Sequence, residues 1–299
     1  MKESTREIFK LHGWRIDRAI HYYIYFNFYD LYVKIAYYGT KAIVALFSRF
    51  RPTGAIGRFI FNRYHAKILS REDVTKILEL EEDVTLGPDT TGKIIPFKYA
   101  NDIVLKDPEH IAVMDCACKL ALDAPCGPVN CCIAVGKTVV DFWIDHCEKY
   151  NARRISKEEA LETIRELRGT GHINQTFFKV ATGGSMSLIC NCCPECCISM
   201  RATKLVQRIK GAEDLSQYVA SGYKVKHDSD KCELCGDCAA ACHFEAIEVT
   251  NGRWNYSEKA CLGCGLCVEG CGQGALELVY EDGDLIPLNM DLVKEKLGR

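Results

Sequence analysis

The sequence predicts an α+β protein in three zones: a helical amino-terminal region over residues 1–69, a helix-rich, cysteine-containing middle over 70–222, and a compact cysteine-rich unit over 223–299. Three observations carry this reading. Capped helix signatures alternate with short β-like segments in the middle zone, an aromatic and basic stretch fills the first zone, and the last zone repeats itself at an offset of 29 residues.

Composition bounds the function. The chain has 299 residues and is 48% apolar, with Lys plus Arg (38) nearly balancing Asp plus Glu (40), which excludes a disordered or collagen-like chain. Nineteen cysteines are an odd number. Many stand one to three residues apart, as in Cys192-Cys193 and Cys196-Cys197, a spacing suited to shared metal rather than to ordinary disulfides. The opening residues MKESTREIFK mix acidic with basic side chains and lead into no cleavable apolar stretch, so the chain reads as cytoplasmic.

Between residues 10 and 69, ten Lys/Arg face only Asp17 and Asp30, so the rest of the chain is acidic. The run from Ile20 to Phe50 is interrupted by Asp30, Lys34 and Lys41 and holds no uninterrupted apolar span long enough to cross a bilayer. Two readings follow. One is a pair of helices, broken near Gly39-Thr40, that packs aromatic faces on the rest of the protein. The other is a basic amphipathic surface resting on a partner subunit or on an anionic membrane, peripheral at its inner face. The basic residues form no recognised nucleic-acid-binding module.

In the middle zone, Ser70 and Asp73 cap a helix near 71–81, and Pro96 suggests a helix near 96–105. Val135 to Tyr150 carries apolar residues at helical spacing before Asn151, Ser156-x-x-Glu159 opens a helix to about Arg168, and Ser199 to Lys210 is a further helix ended by Gly211. β-like segments lie at Ile111-Met114, Phe177-Val180 and Leu188-Ile189. Thr182-Gly183-Gly184-Ser185 lacks the remaining residues of a phosphate loop. In the last zone Asn251-Gly252 and Asp282-Gly283 each signal a β-hairpin.

Cys232, Cys235, Cys238 and Cys242 recur as Cys261, Cys264, Cys267 and Cys271, and Ala246-Ile247-Glu248-Val249 recurs as Ala275-Leu276-Glu277-Leu278. The C-x2-C-x2-C-x3-C run resembles the bacterial two-cluster ferredoxin arrangement. That resemblance implies a ferredoxin-like two-cluster domain. It assigns Cys232, Cys235, Cys238 and Cys271 to one [4Fe–4S] cluster, and Cys261, Cys264, Cys267 and Cys242 to the other. The proline usual after the fourth cysteine is replaced by His243 and Gly272. His243 is a candidate donor to cluster sulfur. Two four-cysteine zinc sites are the alternative, though zinc ribbons favour two separated CxxC knuckles.

Eleven cysteines remain outside this repeat. Cys116, Cys118, Cys192, Cys193 and Cys196 are the candidate ligands of a third iron–sulfur cluster, because both groups follow β-like segments whose ends could meet at one edge. Buried structural thiols, as expected for Cys147, and regulatory disulfides are the alternatives. Lys119 and His172 are the only acid-base or anion-binding candidates nearby. The CxC-Lys pair, the EEAL helix, Gly171-His172 and the CNCC run, together with the repeat, resemble ferredoxin-type dicluster proteins of anaerobes over roughly residues 96–280. The resemblance implies iron–sulfur binding without naming a reaction.

The expected function is electron transfer to or from a redox partner protein or oxidoreductase complex. Its rival is an oxidoreductase that reduces a small substrate at an open iron in the middle zone. A cluster-carrying structural or sensor subunit is a third class.

Overall fold

The computed structural model describes residues 1–47, 64–96, 103–179, 186, 188–209, 215–281, 283 and 285–297. Helices α1 (Glu3–His12), α2 (Ile16–Asn27) and α3 (Tyr29–Phe47) lead to strand β1 (Tyr64–Leu69), α4 (Arg71–Leu78), β2 (Val84–Leu86), α5 (Pro88–Ile94) and β3 (Ile103–Leu105). Next come β4 (Ile111–Asp115), α6 (Ala117–Leu120), β5 (Asn130–Val135), α7 (Lys137–His146), a 3-10 turn (Glu148–Tyr150), β6 (Arg153–Arg154), α8 (Lys157–Gly169), β7 (Ile173–Lys179), β8 (Leu188–Cys192) and α9 (Ile198–Val206). The chain continues through β9 (Tyr218–Val219), β10 (Lys224–His227), α10 (Asp237–Ala240), β11 (Ile247–Thr250), β12 (Arg253–Tyr256), α11 (Leu266–Glu269), β13 (Leu276–Val279) and α12 (Met290–Leu297). The fold is α+β, and among the described residues no helix is long and apolar enough to cross a membrane.

A seven-stranded sheet in the order β6-β4-β5-β8-β7-β1-β9 forms the centre, antiparallel except for the β1–β9 pair. Because side chains alternate along a strand, each face carries its own core. Ala112, Met114, Cys132, Ala134 and Leu188 pack under the amino-terminal helices with Tyr22, Tyr25, Phe26, Phe142 and Trp143. Ile111, Val113, Ile133, Val135 and Ile189 pack on the other face with Val74, Ile77, Ile164, Leu288 and Val293. Two helical layers therefore sandwich the sheet. Strand β1, within the zone expected to be helical over residues 1–69, is paired on both sides within this sheet.

Local chemistry accounts for several elements. Ser70 and Asp73 make both bonds of a capping box at the start of α4. Ser156 accepts from the Glu159 amide at the start of α8. Asn151 closes the 3-10 turn after α7 in the left-handed region, with φ 53°.

Four sequence expectations are corrected. The break between the aromatic helices falls at Phe28, and Gly39-Thr40 lies inside α3, where the Thr40 hydroxyl donates to the Ala36 carbonyl. Aromatic rings on both sides of the bend, Tyr25, Phe26 and Tyr29, turn inward together, and Tyr150 donates to Asp30 at the start of α3. In place of a helix over 96–105, Ile103–Leu105 is a strand paired with β2, and residues 97–102 lie outside the described set. The helix expected over 199–210 is the shorter α9, with 210–214 outside the described residues, as are 180–185.

The fourth correction concerns the paired hairpins. The Asn251-Gly252 hairpin forms, with both residues at positive φ as a tight primed turn requires. The Asp282-Gly283 turn falls partly outside the described residues; among those described, β13 pairs with β10, and Leu285-Ile286 is not a strand, Ile286 and Leu288 instead filling the core beneath the sheet.

Candidate metal centres

The eight repeat cysteines gather into two sets of four. Cys232, Cys235, Cys238 and Cys271 line one cavity together with Trp254 and Val249. Cys242, Cys261, Cys264 and Cys267 line another with Phe244, Ile247 and Val225. In each set three thiols come from one loop and the fourth from the other copy. Left-handed glycines, Gly236 (φ 88°), Gly263 (φ 65°) and Gly265 (φ 83°), turn these loops. Backbone amides donate to sulfur within them, from Ala246 to Cys242 (3.3 Å), from Gly263 to Cys261 (3.3 Å) and from Ala275 to Cys271 (3.4 Å).

Burial raises the Cys238 thiol, and the Trp254 indole N–H, buried with no oxygen or nitrogen acceptor, offsets part of that rise. Burial likewise pushes Cys264 up to about 11 and Cys267 up to about 12. Four thiols around one space and amides aimed at sulfur fit an iron–sulfur cluster in each set, and in the first set the Trp254 indole N–H is a further donor toward sulfur.

The middle-zone thiols meet at one end of the sheet. Antiparallel pairing brings the carboxy-terminal ends of β4 and β8 beside the start of β5, with Asp115 opposite Asn130 and Cys132 opposite Cys190. The five expected third-site residues do not form one group. Cys116, Cys118 and Cys192 join Cys132, Cys190 and Cys197 in a ring of mutually contacting thiols, with Cys131 touching Cys116. Thiol–thiol hydrogen bonds hold Cys116 and Cys197 well below the ordinary thiol value and push Cys118, Cys132 and Cys192 well above it. The Gln175 amide also donates to Cys192 (2.7 Å). Cys193 and Cys196 instead meet Cys126.

Sequence reasoning left Cys132, Cys190 and Cys197 out of the candidate site. The available signal was period two: Cys190 and Cys192 share a face of β8, and Cys132 is the cross-strand neighbour of Cys190. Cys147 is a buried structural thiol beside the Phe26 carbonyl, pushed up to about 12 by burial.

Lys119, fully buried, donates to the Pro128 carbonyl (2.6 Å) and to His172 Nε2 (3.2 Å). Thr170 donates to the Leu167 carbonyl (2.9 Å), so its oxygen accepts from His172 Nδ1 (3.1 Å). Burial and Lys119 lower the His172 pKa, which agrees with this neutral tautomer. His243 donates to the Gly171 carbonyl (2.6 Å) rather than to cluster sulfur, because that carbonyl is presented to it from the turn after α8.

A buried polar line joins the two regions. Arg168 binds Glu269, Asn174 Oδ1 (2.7 Å) and the Cys264 carbonyl (2.7 Å); Asn174 donates to Asn191, and Asn191 donates to the Cys131 carbonyl. Beside it, Cys190, Cys192 and Cys197 share one buried apolar cluster with Cys264 and Leu266.

A family model described as a 4Fe-4S dicluster domain matches residues 224–272. A comparison with curated proteins finds no match. The carboxy-terminal region is thus an iron–sulfur domain, and its match together with the cysteine content supports an electron-transfer function.

Proposed function

We propose that this chain relays low-potential electrons between a redox partner and an iron–sulfur site in its own middle zone. The observation that carries the reading is the single apolar interior shared by Cys264 and the ring thiols Cys190, Cys192 and Cys197. In this reading Cys232, Cys235, Cys238 and Cys271 hold one [4Fe–4S] cluster, Cys242, Cys261, Cys264 and Cys267 hold the second, and the ring of Cys116, Cys118, Cys132, Cys190, Cys192 and Cys197 holds a third. Bound clusters supply one-electron storage and transfer. The chain's own residues do the rest: Cys235 stands exposed where a redox partner can approach, Arg168 ties the two regions together, and the Cys131 thiol, raised by its contact with Cys116 and by burial, has Lys119 close enough to offset part of that rise.

Anaerobic purification followed by iron analysis tests the reading. The expected content is at least about eight irons per chain, and about twelve when the ring is loaded. Stoichiometric zinc at all sites with little iron would overturn it. Oxidation of reduced viologen only in the presence of a partner protein supports a relay, whereas turnover with a small molecule alone supports an enzyme.

A specific observation supports a second element, peripheral docking on an anionic membrane. Ile16, Ile20, Ile24, Phe28, Leu31, Ile35 and Tyr38 recur at helical spacing along α2 and α3, all solvent-exposed, with Arg15, Lys34 and Lys41 beside them. The inward faces of the same helices are buried core. An apolar stripe edged by cations matches the headgroup boundary of an anionic bilayer.

A further inference from the structure

The doubled cysteines split between two places. Cys192 and Cys197 belong to the buried ring, whereas Cys193 and Cys196, their immediate neighbours, turn to Cys126. Cys193-Pro194-Glu195-Cys196 forms a tight turn between β8 and α9, closed by the Cys196 and Cys197 amides donating to the Cys193 carbonyl (3.2 and 2.8 Å). Cys126 comes from the loop between α6 and β5, and its amide donates to Cys196 Sγ (3.1 Å). Cys193 and Cys196 are buried while Cys126 is partly exposed, so the group opens to the surface on one side.

Distance discriminates between kinds of metal centre. The sulfurs of Cys126, Cys193 and Cys196 all lie within 4.8 Å of one another, the only set of three His, Cys, Asp or Glu ligand atoms among the described residues to do so. Three thiolates bound to one tetrahedral ion at about 2.3 Å are separated by about 3.8 Å, so an ion here draws the Cys126 and Cys193 sulfurs, which lie 2.7 Å apart, further from each other by about 1 Å. A cubane binds each thiolate on a different iron and spreads them further. The eight ferredoxin-type thiols do not meet the closer spacing. Thiolate ligands select soft ions or zinc. Three protein ligands with a solvent-facing side are the pattern of an open zinc site, whose fourth position is filled from outside.

We infer that Cys126, Cys193 and Cys196 bind a single zinc ion with a solvent-accessible fourth position, separate from every iron–sulfur site of the chain. The site depends neither on iron in the ring nor on the relay reading.

The test is metal analysis and zinc-edge X-ray absorption on the anaerobically purified, full-length protein after exposure to zinc, alongside Cys126→Ser. The expected result is about one zinc per chain with three sulfurs at about 2.3 Å and one lighter atom. Cys126→Ser lowers zinc at least about tenfold and leaves iron unchanged. Wild-type protein with less than about one-tenth zinc per chain overturns the proposal, as does a Cys126→Ser variant that loses about four irons, since the thiols then serve a cluster. A metal-free Cys126–Cys193 disulfide in the wild type also overturns it. Should Cys126→Ser fail to fold, the sulfur count around zinc in the wild type decides alone.

Discussion

Arg168, at the end of helix α8, donates from Nη2 to the backbone carbonyl of Cys264 at 2.7 Å, reaching from the central sheet's helical layer into the loop of the second thiol set. The same guanidinium binds Glu269 through Nε and Asn174 through Nη1, and its side chain is 1% exposed. One cation thus organises the border between two regions.

Arg168→Met should therefore destabilise the protein by about 3 kcal/mol, near the lower end for breaking a buried pair because Glu269 keeps partial solvent access. Denaturant unfolding measures this, and a change under about 1 kcal/mol would show that the border is held by apolar packing alone.

Cys235→Ser should remove or distort one cluster and loosen residues 223–281, since so small a cysteine-lined unit depends on ligation for folding. Iron content and melting temperature are the readouts. Unchanged values for both would remove Cys235 from the ligand set.

Gly263→Ala should be as damaging as loss of a ligand. A Cβ there would stand 2.2 Å from Ser221 Oγ and 2.5 Å from the Tyr223 carbonyl, at a φ of 65°. Alanine would push the 261–267 loop off the 221–223 segment. Full retention of iron in this variant would contradict the close packing described.

Lys67 gives a pH signature. Burial lowers its pKa to about 7, and the nearby Asp73 offsets only part of that. The unfolded chain keeps the proton to the ordinary lysine value, so between pH 7 and 10 it binds more protons than the folded chain, and stability rises with pH. Asp73, raised to about 6 by burial, is already ionised in that window. Melting curves from pH 7 to 9 should rise for the wild type and flatten for Lys67→Met. A parallel rise in both would assign the effect elsewhere.

Ile20→Glu with Ile24→Glu, two exposed positions on one face of α2, should leave iron content and folding intact while lowering co-sedimentation with anionic vesicles about tenfold at low salt. High salt should release the wild type as well. Equal sedimentation of both proteins would direct the stripe to a protein partner.

Legibility in the sequence tracked how local the determining physics was. The 29-residue repeat exposes the eight carboxy-terminal thiols directly, and Ser70 with Asp73 announces its helix because a capping box lies within four residues. Strand β5 gives no alternating signal, because Asn130–Val135 is a nearly continuous buried run rather than a half-buried strand. Of the ring, period two could pair only Cys190 with Cys192; its other members come from β5 and two helix starts that only the sheet order brings together. Phe28 rather than Gly39 became the bend because packing of Tyr25 and Tyr29 outweighs glycine's weak local preference.

The place of β1 between β7 and β9 also governs the order of biosynthesis. Its residues leave the ribosome roughly a hundred residues before β7 exists and roughly a hundred and fifty before β9, so the sheet closes late and through distant pairings. Each middle-zone thiol made before β9 stands unshielded until the sheet closes, open to oxidation and to whatever metal is at hand. With Cys242 grouped among the later cysteines and Cys271 among the earlier ones, neither ferredoxin-type set is complete until both loops have been translated. Either set therefore waits on the later loop before it can be loaded, and overproduction of the chain faster than iron and sulfide are supplied should accumulate thiol-oxidised polypeptide.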